Sequence, residues 1–244
     1  MEMLKNLLFN IYRKLSWVYK RDLLKMLNKE SGKTLDIGGD HLFKKYITNE
    51  RIEYISLNNS YDHEGTEYHC DIVADAMNMP MEDKRYDNVW CFQVLEHVND
   101  PLALLKESQR VLKDGGKAIF SVPQTNILHA APHNYYNFTK YGLLDLFQKA
   151  GFKEIEVKPK GGFWLSMSQR FFDYCMIWLH SLGISDLGFG YSIYTNKNLL
   201  QKLMVFISVI PAGLMFILVF IFSLIFKSSE MKEDAPIQYV YAIK

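Results

Sequence analysis

The sequence predicts a doubly wound α/β domain, a mostly parallel sheet with helices on both faces, that carries a hydrophobic helical insertion. Three observations lead there: strand-like apolar runs alternate with helical patterns from residue 34 to 157, glycines directly follow the first run, and residues 203–226 hold no charge. At 244 residues the chain can bury a substantial core in one such domain and still carry an appendage. Lys and Arg number 28 against 27 Asp and Glu, which argues against a dedicated nucleic-acid binder. Cys70, Cys91 and Cys175 are odd in number and lack metal-ligand or redox spacing. Neither a disulfide framework nor a metal site is expected, and a reducing compartment is.

Residues 1–30 read as one amphipathic helix, with Leu4, Leu7, Leu8, Ile11, Leu15, Val18, Leu23, Met26 and Leu27 at helical spacing. The other face is mainly basic (Lys5, Arg13, Lys14, Lys20, Arg21, Lys25, Lys29), with Trp17 and Tyr19 nearby. Such a helix packs on the next domain with a solvated outer face, or lies on an anionic membrane surface. Lys5, Arg13 and Lys14 interrupt any long apolar run, so no cleavable signal peptide is expected. Ser31-Gly32 ends the helix. Strands are then predicted at Thr34–Gly38, Glu53–Leu57, Asp71–Ala74, Tyr86–Phe92, Lys117–Val122 and Lys153–Val157. Between the fourth and fifth, Leu102, Leu105, Val111 and Leu112 mark a helix opened by Asp100-Pro101 and stopped by Gly115-Gly116. Another helix follows Thr139 and stops at Gly151.

In such a sheet, ligands sit beyond the carboxyl ends of the strands, where strand order reverses. The first strand ends in Asp36, Gly38 and Gly39, where glycines let the backbone turn sharply close to a ligand. Taken alone, the same residues make an ordinary tight turn. Asn58 follows Asp36 by 22 residues, near where an acid would bind a ribose hydroxyl. It can accept such a bond without charge. Asp75-Ala76-Met77 ends the third strand and offers a carboxylate to an exocyclic amine, with Met77 and Met79 as apolar neighbours or ordinary core. A dinucleotide oxidoreductase is disfavoured: Gly-x-Gly-x-x-Gly is absent, and Asp40, directly after the glycines, would repel a pyrophosphate while tolerating an amine or sulfonium.

The stretch DIVADAMNMPMEDKRYDNVWCFQVLEHV (71–98), with LDIGG at 35–39 and RVLKDGG at 110–116, resembles class I S-adenosylmethionine-dependent methyltransferases of the small-molecule group called type 11. The resemblance covers about residues 33 to 158. It implies a Rossmann-like methyltransferase fold of seven strands, the last antiparallel, with S-adenosyl-L-methionine as cofactor. By resemblance, Asp36, Gly38 and Gly39 border the methionine part of the cofactor and Asn58 the ribose. Asp75 and Ala76 hold the adenine edge, and Gln93 lines the pocket floor. Asp40 and Asn58 depart from the family's second glycine and acid, so a catalytically degenerate scaffold or binding subunit is the alternative. The stretch 132–139, PHNYYNFT, resembles members that accompany cell-surface glycan or lipid synthesis. His97 and His133 are the candidate catalytic bases, because an imidazole titrates near neutrality; each also reads as a hydrogen-bonded structural residue. Tyr135 and Tyr136 suit the acceptor pocket.

Residues 203–226, flanked by Lys202 and Lys227, have the length and flanks of a membrane helix. The run 163–182 is aromatic with a polar stripe of Ser166, Gln169, Arg170, Asp173 and His180, which suits an interfacial or packed helix. Ile237–Ile243 reads as the seventh strand. A single crossing would leave that strand on the wrong side of the membrane, so a re-entrant hairpin bent at Pro211-Ala212-Gly213, or a helix shallow in one leaflet, is expected. The expected domains are therefore 1–30, 31–160, the insertion 161–236 and the closing strand 237–244. The partners are a small-molecule or lipid-linked acceptor and a membrane, with the catalytic domain on the cytoplasmic side. A soluble enzyme whose apolar helices form a dimer interface is a further reading; the oligomeric state is left open.

Overall fold

The computed structural model describes residues 21–59, 69–181, 199–225 and 234–244. The expected helix over 1–30 lies outside these except for its end, where 21–27 is helical (α1). The elements that follow are β1 (Gly32–Ile37), α2 (His41–Lys44), β2 (Ile52–Asn58), β3 (Ile72–Val73), β4 (Tyr86–Phe92), a 3-10 turn (Leu95–His97) and α3 (Pro101–Val111). Then come β5 (Leu112–Pro123), α4 (Lys140–Lys149), β6 (Lys153–Lys160), α5 (Phe163–Ser181), α6 (Leu199–Ile225) and β7 (Ile237–Ile243). The chain divides into two compact units: 21–124, 133–158 and 237–244 form the sheet unit, and 125–132 with 159–236 belong to the other, helical unit.

In the sheet unit, seven strands run in the order β3-β2-β1-β4-β5-β7-β6. Strands β1 to β5 pair in parallel, and β7 runs antiparallel to β5, with Lys117 opposite Ile243 and Pro123 opposite Ile237. Order reverses between β1 and β4, which places the ligand crevice at the carboxyl ends of those strands. Side-chain alternation splits the core between the two faces. Leu35, Ile37, Val89, Cys91, Phe120 and Val122 pack with Leu104, Leu105, Leu143 and Phe147 of α3 and α4. Tyr54, Trp90, Ile119 and Tyr239 face Leu23 and Leu27 of α1, with Phe43 of α2 against them.

Two helices start as their sequences dictate. Asp100 caps α3 by accepting from the Ala103 amide at 3.0 Å, and Thr139 caps α4 by accepting from Gly142 at 3.2 Å. The stop of α3 differs from expectation. The helix ends at Val111, and Gly115-Gly116 lies inside β5, which begins at Leu112. The pairing register between β4 and β5 shifts there, and Gly115 has φ +75. The glycine pair thus shapes an irregularity in a strand and does not end a helix.

Between β6 and β7, α5 and α6 pack as an antiparallel pair. Trp164 stacks on Phe222 at 5.3 Å between ring centroids, and Phe172 meets Phe216 at 5.6 Å. One expectation is corrected. Helix α6 runs unbroken through Pro211 from Leu199 to Ile225, so no hairpin bends at Pro211-Ala212-Gly213. The polar stripe of α5 faces inward, in line with the packed reading: Ser166 and Asp173 are buried, Ser166 bonds the Asp234 carbonyl, and Gln169 donates to Asp173 at 2.7 Å. Among the described residues no helix is long and apolar enough to cross a membrane.

Candidate functional site

The glycine loop after β1 is packed too tightly for side chains. Gly38 has φ +76, and a Cβ on it would stand 2.2 Å from Cγ2 of Val94. A Cβ on Gly39 would stand 2.6 Å from the Asp36 carboxylate and 2.7 Å from the Tyr54 hydroxyl. The bare backbone therefore touches both the end of β4 and the side chain beneath it. Asp36 points to the aromatic face of the sheet and is almost fully buried. Its Oδ2 accepts from Tyr54 at 2.6 Å. Burial pushes this carboxyl up to about 7; the Tyr54 bond works the other way, and Asp40 adds to the rise.

Asp40, whose carboxylate departs from the resembled pattern, caps the short helix α2 by accepting from the Phe43 amide at 2.8 Å. Asn58, at the end of β2, reaches the Gly39 carbonyl with Nδ2 at 3.5 Å, and its Oδ1 accepts from the Asn59 amide. The Asn58 carbonyl in turn accepts from Ala74 at 3.0 Å, drawing the segment after β3 alongside. There Asp75 is exposed and accepts from Met77, and Ala76 is half-buried against the core. Arg110 of α3 steadies this segment by donating to the Met79 carbonyl at 2.9 Å and the Met81 carbonyl at 2.7 Å.

The predicted residues thus fall into two groups. Gly38, Gly39, Asn58, Asp75 and Ala76 line the carboxyl ends of three neighbouring strands, with Asp36 beneath the loop. Gln93, at the end of β4 with φ +56, turns to β5 instead, donating to Ser121 Oγ at 3.2 Å. Four residues beyond it, His97 bonds His133: Nδ1 lies 2.6 Å from the His133 carbonyl. The Tyr135 hydroxyl approaches Nδ1 of His133 at 3.4 Å, and Tyr136 stacks on Phe138. Tyr135 is 46% and Tyr136 39% exposed.

Two site residues escaped the sequence reading. Tyr54 was visible only as one member of an alternating strand, and nothing local marks it as the partner of Asp36. Glu96 sits inside Leu-Glu-His-Val, where attention falls on the histidine. It is fully buried, and neither carboxyl oxygen has a hydrogen-bond partner among the described residues. Burial pushes it up to about 8.

The match to known proteins follows this geometry. Residues 11–156 match the family model described as a methyltransferase domain. The chain belongs to that family. It is 42% identical over 70 residues to a demethylmenaquinone methyltransferase of Staphylococcus saprophyticus, covering 28% of this chain and 30% of that protein. It is 31% identical over 83 residues to a ubiquinone biosynthesis O-methyltransferase of Pseudomonas savastanoi, covering 29% and 35%. The chain spans about a third of the length of each of these curated relatives. A SAM-dependent methyltransferase from Archaeoglobus fulgidus shares the fold at 15% identity, with a TM-score of 0.55 over 95% of this chain and 94% of that one.

The cofactor of this family and fold is S-adenosyl-L-methionine, and the residues present fit it. The glycine cradle leaves backbone bare at 38–39, where any Cβ would collide. The side chains of Asn58 and Asp75 at the strand ends offer an amide and a carboxylate. That donor set suits a cationic sulfonium and a neutral nucleoside better than a dinucleotide.

Proposed function

We propose that the chain transfers a methyl group from S-adenosyl-L-methionine to an O or N atom of a small, lipid-linked or cell-surface-glycan acceptor at a membrane. The observation that carries the transfer is the grouping at the sheet's carboxyl edge. A side-chain-free loop, an amide and a carboxylate lie across β1, β2 and β3, and a histidine pair lies past β4.

Gly38 and Gly39 would admit the amino-acid portion against bare backbone, Asn58 would accept from the ribose, and Asp75 with Ala76 would hold the base. When bound, the cofactor supplies a methyl group on a sulfonium, a good neutral leaving group. The protein's contribution is then chiefly to position the acceptor and take its proton. His97 is the base in this reading. The His133 carbonyl can only accept, so Nδ1 of His97 carries a hydrogen and Nε2 is its proton-accepting atom. Tyr135 and Tyr136 offer their ring faces to the acceptor.

Attachment to a membrane is supported by α6. Leu203, Ile207, Ile210, Leu214, Ile217, Leu218 and Ile221 recur at three- and four-residue steps and are 47–66% exposed, making one apolar face about 27 Å long. The chain leaves the sheet after β6 and returns to it as β7, which favours a hairpin lying in one leaflet. Three free cysteines suit a sheet unit on the cytoplasmic side.

Calorimetric titration of detergent-purified protein with S-adenosylmethionine and S-adenosylhomocysteine tests the transfer reading. Micromolar binding is expected, weakened at least about tenfold by Asp75→Ala. Absence of binding by the intact chain would favour the degenerate scaffold. For the membrane, flotation with vesicles of anionic lipid should carry the intact chain upward and leave Ile207→Glu/Ile210→Glu/Leu214→Glu behind. Equal flotation of both sinks the attachment.

A further inference from the structure

We propose that Glu96 is a positioning residue for His97: it flanks the imidazole at Nε2 while the His133 carbonyl holds Nδ1, so that the acceptor's proton is taken up by a His97–Glu96 pair. This rests on the methyltransferase reading above.

The 3-10 turn after β4 explains how an acid comes to lie there. Leu95 is fully buried in the core, and Glu96, next in the turn, is carried in with it. Its backbone carbonyl accepts from the Tyr135 amide at 2.8 Å, which joins the turn to the loop bearing His133. Its side chain has no hydrogen-bond partner among the described residues, yet Oε1 lies 3.8 Å from Nε2 of His97. Burying a carboxylate without a partner is costly, and the cost falls when a cation forms beside it. His97 becomes that cation at Nε2, the nitrogen on the Glu96 side.

The proton transfer balances within the pair. The acceptor's O–H or N–H bond breaks, its electron pair stays with the acceptor atom to form the new bond to carbon, and the proton goes to Nε2. The imidazolium so formed is offset by the Glu96 carboxylate. A separation of 3.8 Å is too long for a hydrogen bond, and a small turn of the ring closes it once Nε2 is protonated.

Burial pushes the Glu96 carboxyl up to about 8, so near neutrality the pair retains a proton and releases it as the pH climbs toward that value. Within the sheet unit, the other ionisable groups around this end of β4 include Cys91 and Asp36 on the strands and His133 and Tyr135 on the loop. The buried Cys91 thiol is itself pushed up by burial, Asp36 and Glu96. Loss of the shared proton readies Nε2 to accept one from the substrate. A lone imidazole would be ready from about pH 6.5 upward, but without the balancing charge.

The test follows His97 directly. Long-range proton–nitrogen spectra of the full chain labelled with ¹⁵N-histidine are recorded across the neutral range, with His97→Gln to assign the signals. S-adenosylhomocysteine affinity is measured on the same samples. In the unmodified chain His97 should keep its Nδ1 hydrogen throughout, and its Nε2 signal should move as Glu96 changes protonation. Glu96→Gln should abolish that coupled movement, with affinity for S-adenosylhomocysteine changed by less than about twofold. An unchanged His97 titration in Glu96→Gln overturns the proposal. So does a titration in the unmodified chain that shifts on adding a chelator, which would mean that a metal ion governs His97. If Glu96→Gln does not fold, Glu96→Asp draws the acid back from Nε2 and should weaken the coupled movement; a response identical to the original overturns the pairing. Coupled titration without S-adenosylhomocysteine binding would instead sink the methyltransferase reading.

Discussion

The carboxyl ends of β1 and β4 each bury one acid, and the two are treated differently. At β1, Asp36 lies under the glycine loop with the Tyr54 hydroxyl on its oxygen at 2.6 Å. At β4, Glu96 is as deeply buried and has no side-chain hydrogen-bond partner among the described residues, with Nε2 of His97 at 3.8 Å. Burial raises both acids, Asp36 to about 7 and Glu96 to about 8. The β1 end is satisfied and packed to hold a shape. The β4 end leaves an acid unsatisfied beside a base, which is how a fold keeps a proton available.

The largest effect that tests this contrast is on stability against pH. An acid whose folded pKa lies above its unfolded value binds more protons when folded, so stability falls as pH rises between the two values. For Asp36 that window runs from about 4 to 7 and for Glu96 from about 4.5 to 8, each on the order of 4 kcal/mol at 1.4 kcal/mol per unit. Asp173, raised to about 7 by burial in α5, adds a decline of its own. Urea midpoints measured from pH 4 to pH 9 should fall up to about pH 8 and level off above it. Asp36→Asn should flatten the lower part of that fall, and only Glu96→Gln the part above 7. If both variants flatten the same interval, the two ends do not differ as described.

Gly38→Ala comes next. The new Cβ meets Val94 at 2.2 Å, and φ +76 strains any side chain, so a loss of about 2–4 kcal/mol is expected in denaturant unfolding. Tyr54→Phe would make the β1 end resemble the β4 end by orphaning Asp36, at a cost of about 1–3 kcal/mol, with the Asp36 carboxyl driven further up. A neutral result would mean that the Tyr54 bond holds nothing. The smallest effect is a gain. Asn58→Asp would offer the ribose a charged acceptor worth about 1 kcal/mol, or roughly fivefold in S-adenosylhomocysteine affinity by calorimetry.

Legibility in the sequence follows the same division. β4 runs from Tyr86 to Phe92 as read, because the continuous apolar run 89–92 marks a strand buried on both faces of a parallel sheet. β5 starts five residues early, since the pairing of Leu112 with Tyr86 is a tertiary fact that Gly115-Gly116 conceals. Gly38, Gly39, Asn58 and Asp75 could be placed at the strand ends from the sequence, because turn chemistry and strand ends are local signals. Gln93 was placed correctly at a strand end, yet its amide turns toward Ser121, which only the register of β5 decides. Asp40 read as an intruder in the cofactor loop and proves to be a helix cap. Glu96 stayed hidden because a charged letter between apolar ones looks solvated, and its burial comes from a 3-10 turn that has no strong sequence signature.

The placement of β7 has a consequence for the order in which the chain takes shape. β6 joins the sheet only through β7, and β7 follows α5 and α6 in sequence. During synthesis β6 therefore waits unpaired while the two apolar helices emerge, and Val240 and Ala242 reach the main core only after that. The helices must find their own surroundings, packed on each other or resting in lipid, before the sheet can close. Sealing of the β5 edge thereby becomes a report that the hairpin has already been accommodated.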